Sequence, residues 1–166
     1  LKAKSDIGKE LDSLADVVTF GVVPSVIVYQ LLNQNLAEYA FFERYNFVTF
    51  FPFLIALFSA IRLAKFNIDD RQTVSFLGLP TPANAIFWAS APLIIYFSEN
   101  PINWGSDYLI SFLADIFQNP YFLLVMTLIM SVLLIVEIPL FSLKFKDFKI
   151  KNNIFRFIFL ILSLLL

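Results

Sequence analysis

The chain has 166 residues, of which 59% are hydrophobic and only 15% charged, with a formal net charge of −1; soluble domains carry about 25% charged residues. No basic patch is rich enough to grip a phosphate backbone, so nucleic acid is excluded as a partner, and apolar stretches near twenty residues long predict a multi-pass integral membrane protein. The chain contains no Cys and no His. Thiolate and imidazole chemistry are therefore excluded, and any proton or metal chemistry falls to carboxylates, whose oxygen ligands favour hard ions such as Mg²⁺, Mn²⁺ or Ca²⁺.

Five apolar segments follow one another. The first runs from about Lys9 to Leu32, directly after the stretch SDIGKELDSLAD, and the second from about Asn46 to Phe66. The third runs from about Pro82 to Phe97, opened by GLPTP. Between the third and fourth, GSDYLISFLADIF predicts a short interfacial helix with Leu109, Phe112, Leu113 and Ile116 on one stripe. The fourth runs from about Pro120 to Leu143, with Asn119 as N-cap and Pro120 at the first helical position. The fifth, from Asn153 to Leu166, is short for a span and reads as cut, as does the start at Leu1. Pro24, Pro52, Pro92 and Pro139 fall inside these segments. In a bilayer, packed neighbours re-satisfy the carbonyls that a proline frees, so kinked helices are expected. The runs lack the period-two alternation of barrel strands. The prediction is an all-α transmembrane helix bundle of about five spans, forming one domain over residues 1–166.

Orientation follows from the basic residues. With the first segment entering from the cytoplasm, all twelve Lys and Arg except Arg44 fall on the cytoplasmic side. Tyr45, Tyr96, Trp104 and Tyr121 fall near span ends, as an interfacial aromatic belt requires. Glu137, beside Pro139, is an acid inside the fourth segment without an assigned role.

Gly8, Asp12 and Asp16 are spaced i, i+4, i+8. Each step advances about 40° around a helix and about 6 Å along it, so the three share one narrow face. An acidic helix start favoured by the dipole is one reading. The other starts from depth. Asp16 lies at or below the headgroup level, because VVTFGVVPSVIVYQLL follows it at once. A carboxylate at mid-membrane costs on the order of 2.5–3.5 kcal/mol, and two on one face call for a compensating divalent ion.

The spacing G-x-x-x-D-x-x-x-D, as Gly8-Asp12-Asp16, resembles the second half of the signature of the CDP-alcohol phosphatidyltransferases. The first half, D-x-x-D-G-x-x-A-R, would end just before Leu1, so the chain by itself is expected to be inactive. The stretch RLAKFNIDDRQTVSFLGLPTPANA, Arg62 to Ala85, resembles the loop of bacterial phosphatidylserine synthases, with Lys65 where Arg is common and Asn84 where Ala is frequent. The resemblance implies transfer of a phosphatidyl group from CDP-diacylglycerol to L-serine, with a divalent metal, Mg²⁺ or Mn²⁺, as cofactor. It implies Asp12 and Asp16 as metal ligands and Asp16 as the base. It places Ser5, Gly8 and Asp12 on the CDP-diacylglycerol side, and Arg62, Lys65 and Asn67 as candidates for the serine or a phosphate. It further implies a homodimer in the bacterial cytoplasmic membrane, with membrane lipids around it and the site facing the cytoplasm.

Simpler roles remain open for several of these residues. Ser5 can equally start a helix as N-cap, and Arg62 and Lys65 can equally snorkel to headgroups. A glycerol-phosphate or inositol-phosphate acceptor is the alternative within the same chemistry. A small membrane transporter, or a purely structural membrane protein, is the alternative outside it.

Overall fold

The computed structural model describes residues 6–35, 46–68, 78–100 and 107–138. Ser5 and the fifth apolar segment lie outside these, as do Tyr45, Trp104 and Pro139. Every element among the described residues is helical. α1 (Asp6–Val17) continues through a π-helical turn (Val18–Val22) into α2 (Val23–Asn35). A 3₁₀ segment (Asn46–Phe53) runs into α3 (Leu54–Ile68). α4 (Thr81–Glu99), α5 (Asp107–Gln118) and α6 (Pro120–Ile135) complete the set.

The prolines account for the irregular turns. Pro24 has no N–H to donate to the Phe20 carbonyl, and its ring crowds that oxygen. The helix widens just before it, the Val23 N–H reaching back five residues to the Val18 carbonyl. Pro52 acts in the opposite sense in the second long helix, which enters as a tightened 3₁₀ segment. At three residues per turn, Phe47, Phe50 and Phe53 line up in one exposed row. The Tyr29 ring of α2 lies 5.8 Å from Phe50 and 6.0 Å from Phe53.

Two continuous helices, Glu10–Asn35 and Phe47–Asn67, are long and apolar enough to cross a membrane, and a third crossing arises if α5 and α6, bent by 79°, count as one span. The described residues thus give two to three spans where about five were expected. α4 has the length but carries Pro82, Asn84, Ser90 and Pro92, which dilute its apolarity. α6 also stops early: it ends at Ile135, so Glu137 stands exposed beyond the helix and not within it.

Asn119 caps α6 as expected, its side-chain oxygen accepting from the Tyr121 and Phe122 N–H groups at 3.0 and 3.2 Å. α5 forms where the interfacial helix was predicted, but its stripe divides. Leu109 and Phe112 are exposed, and burial goes to Ala114 and Phe117.

α2 touches α3, α4, α5 and α6 and so runs through the middle of the bundle. The apolar core gathers around Val28, Leu32, Ile55, Trp88 and Leu123, one or two from each inner helix. The π turn that leads into α2 crosses α3 closely because Gly21 has no side chain: a Cβ there would lie 3.1 Å from the Ser59 Cβ and 3.3 Å from the Ala56 Cα. Ser25 closes the crossing, donating to the Gly21 carbonyl at 2.8 Å and accepting from the Ala56 N–H at 3.1 Å.

Candidate functional site

α1 is helical across Asp6–Val17, so Gly8, Asp12 and Asp16 do share a face. Asp12 is exposed and Asp16 half-buried. Ile7, Leu11 and Leu14 form an exposed apolar stripe on the other side of the same helix. The acids therefore do not share their face with the apolar stripe.

α3 returns to this end of the bundle and brings two of the candidate residues with it. Asn67, near its C-terminus, donates from Nδ2 to the Ser13 Oγ at 2.9 Å, tying α3 to α1 between the two aspartates. Ser13 was not singled out from the sequence, because a lone serine on a helix carries no spacing signal; the return of α3 brings Asn67 to it. Lys65 is exposed. Arg62 points the other way, into the bundle. It is 9% exposed, and its Nη2 donates to the Gly78 carbonyl at 3.5 Å.

Gly78 and Leu79 belong to the FLGLPTP stretch, whose Phe76 and Leu77 lie outside the described residues. Gly78 has φ +72°, the left-handed region that glycine adopts without strain. Its N–H donates to the Ile138 carbonyl at 3.0 Å, and the Leu79 N–H donates to the Leu133 carbonyl at 2.9 Å. A Cβ on Gly78 would meet the Val136 carbonyl oxygen at 2.7 Å. The turn thus supplies donors to the Leu133 carbonyl in the last turn of α6, which has no partner within the helix, and to the Ile138 carbonyl just beyond it, and α6 stops where the turn seats. From there Pro80 leads into α4, with Pro82 in its first turn.

The acidic face, the Ser13–Asn67 contact, buried Arg62 and the Gly78 turn lie at one end of the bundle. Chemically, two carboxylates one turn apart can share a divalent cation. Among the described residues no group of three or more acids gathers to hold a metal. The pair suits Mg²⁺ or Mn²⁺, because such ions bind through one or two carboxylates and complete their shell with phosphate oxygens and water.

Comparison with known proteins gives a consistent picture. The sequence model described as CDP-alcohol phosphatidyltransferase matches residues 1–165. The chain is 39% identical over 106 residues to a CDP-diacylglycerol–serine O-phosphatidyltransferase of Bacillus subtilis, covering 61% of this chain and 51% of that protein. It is 43% identical over 84 residues to one of Helicobacter pylori strain J99, covering 49% of this chain and 32% of that protein. An archaetidylserine synthase of Methanothermobacter thermautotrophicus is 36% identical over 92 residues, covering 55% of this chain and 36% of that protein. The chain spans about half or less of the length of these curated relatives. No solved structure matches.

Proposed function

Because the chain belongs to the CDP-alcohol phosphatidyltransferase family, we propose that it serves the transfer of a phosphatidyl group from CDP-diacylglycerol to L-serine, yielding phosphatidylserine and CMP. The observation that carries the choice of serine is the 39% identity to a relative named for that reaction. In the reaction the serine hydroxyl oxygen attacks the phosphatidyl phosphorus. The bond from that phosphorus to the CMP oxygen breaks, and CMP leaves with the electron pair. Asp16, half-buried at the membrane edge, takes the serine proton, a carboxylate being the simplest base in a chain without His.

Asp12 and Asp16 would hold the divalent metal, Mg²⁺ or Mn²⁺. When bound, it supplies positive charge to the diphosphate and to the departing CMP. Ser5, Gly8 and Asp12 would bind the CDP-diacylglycerol. Asn67, fixed on Ser13, and exposed Lys65 meet the serine carboxylate or a phosphate at the rim, and Arg62 does so from deeper in the bundle. The protein works as a homodimer in the bacterial cytoplasmic membrane, with this end toward the cytoplasm.

The test uses membranes from cells expressing the complete reading frame that encodes this chain. Labelled serine is offered with CDP-diacylglycerol, and phosphatidylserine and CMP are measured. Asp16→Asn should lower turnover by at least about a hundredfold, the low end of what a positioned acid–base group contributes, and Asp12→Asn should lower it as well. Unchanged turnover in both variants would overturn the assignment of ligands and base. CMP release with glycerol phosphate or inositol phosphate, and none with serine, would overturn the acceptor.

A further inference from the structure

Four helices carry a straight buried stripe, and all four stripes change character at one level. Val28, Ile55, Trp88 and Leu123 belong to one apolar cluster, which fixes that level in the bundle. One turn closer to the end that carries Asp16, Arg62 and Gly78, the buried position on each helix is polar. Val28 gives way to Ser25 on α2, Ile55 to Ser59 on α3, Trp88 to Asn84 on α4 and Leu123 to Thr127 on α6, each 0% exposed. On α6 the next turn is polar as well, with Ser131 at 0%. The four helices run in alternating directions, so no single amphipathic repeat produces this. The same depth is polar from four sides.

Ser25 is satisfied by Gly21 and Ala56. The others are not. The hydroxyls of Ser59, Thr127 and Ser131, both amide atoms of Asn84 and the Trp88 Nε1 are buried without a hydrogen-bond partner. Helical Ser and Thr commonly donate to the carbonyl one turn back, and these three do not. Inside a membrane bundle, with bulk water excluded, such groups need partners of their own.

We propose that this layer is an internal hydration site, where a small cluster of ordered water is bound by Ser59, Asn84, Thr127 and Ser131 beneath the Trp88 indole N–H. The chemistry fits water better than any larger ligand. Hydroxyls and an amide offer both donors and acceptors, and a buried water needs two to four such partners. The inference stands on the packing of the bundle and is independent of the proposed transfer reaction.

The test is water-edited solid-state NMR on the protein in lipid bilayers, with a thermal midpoint as the second reading. Magnetisation should build up from water at Thr127, Ser131 and Asn84 about twofold or more faster than at Leu123 and Ile55, one turn away in the dry layer. Thr127→Val, which keeps the shape and removes the hydroxyl, should lower the thermal midpoint by a few degrees, because the water loses a partner. In a dry layer the same change removes an orphaned hydroxyl and raises the midpoint. Equal build-up in the two layers, or a raised midpoint in Thr127→Val, overturns the proposal.

Discussion

Gly78 shows how one residue holds the end of the bundle that carries Asp12 and Asp16 together. Its φ of +72° alone would cost a side-chain-bearing residue about 1–2 kcal/mol. The 2.7 Å approach of a Cβ to the Val136 carbonyl oxygen adds a clash with backbone, which cannot swing aside. Gly78→Ala is expected to lower the thermal midpoint clearly and to loosen the start of α4 and the end of α6 together, which hydrogen exchange at Leu79 and Val136 would read. Asn67 is a milder case. Its bond to Ser13 is exposed, so Asn67→Ala should cost at most about 1 kcal/mol of stability. If Asn67 also meets substrate, the same change raises the KM for serine much more than it alters unfolding, and a matched pair of assays on Asn67→Ala and Ser13→Ala separates the two effects.

Among the elements, the acidic helix is aimed by its C-terminal continuation. The π turn before Pro24 sets how α1 is rotated relative to α2, and the Gly21 crossing sets how near α3 can come. Gly21→Val would push a branched side chain against Ser59 and Ala56, where even a Cβ sits at 3.1 and 3.3 Å. Overpacking of this kind costs about 1–3 kcal/mol. It should also displace Ala56 from Ser25, visible as faster exchange of the Ala56 amide. The start of α6 is held more locally. Asn119→Ala removes the acceptor for two N–H groups and should cost about 0.5–2 kcal/mol, with little effect at the opposite end, where the aspartates lie.

The twelve basic residues of the chain and the two membrane-length helices among the described residues give a definite expectation of sidedness. Because the chain has no Cys, single cysteines report it without background. Lys65→Cys, on an exposed position near the end of α3, should react with a membrane-impermeant thiol reagent only from the cytoplasmic face. Asn100→Cys, exposed past the end of α4, should react only from the other face. Labelling of both from one side would reverse or break the proposed topology.

Composition and local spacing decided what each segment could become. Apolar runs of membrane length had to be helices, because lipid offers no partner for backbone groups. The Asn119–Pro120 start was readable, since a cap is satisfied by its own neighbours, and so was the shared face of Gly8, Asp12 and Asp16, since helical spacing alone creates it. Local chemistry did not decide where Arg62 points, that Asn67 meets Ser13, or that α6 ends at Ile135 and leaves Glu137 outside. Each of these depends on a partner from a distant segment: Gly78 for Arg62, α1 for Asn67, the 78–79 turn for α6. The single stripes of small and polar residues were likewise visible along each helix, but only the packing of four helices brought Ser25, Ser59, Asn84 and Thr127 to one depth. Periodicity fixes which side of a helix is polar, and the crossing geometry, set by Gly21 and the prolines, fixes what that side meets.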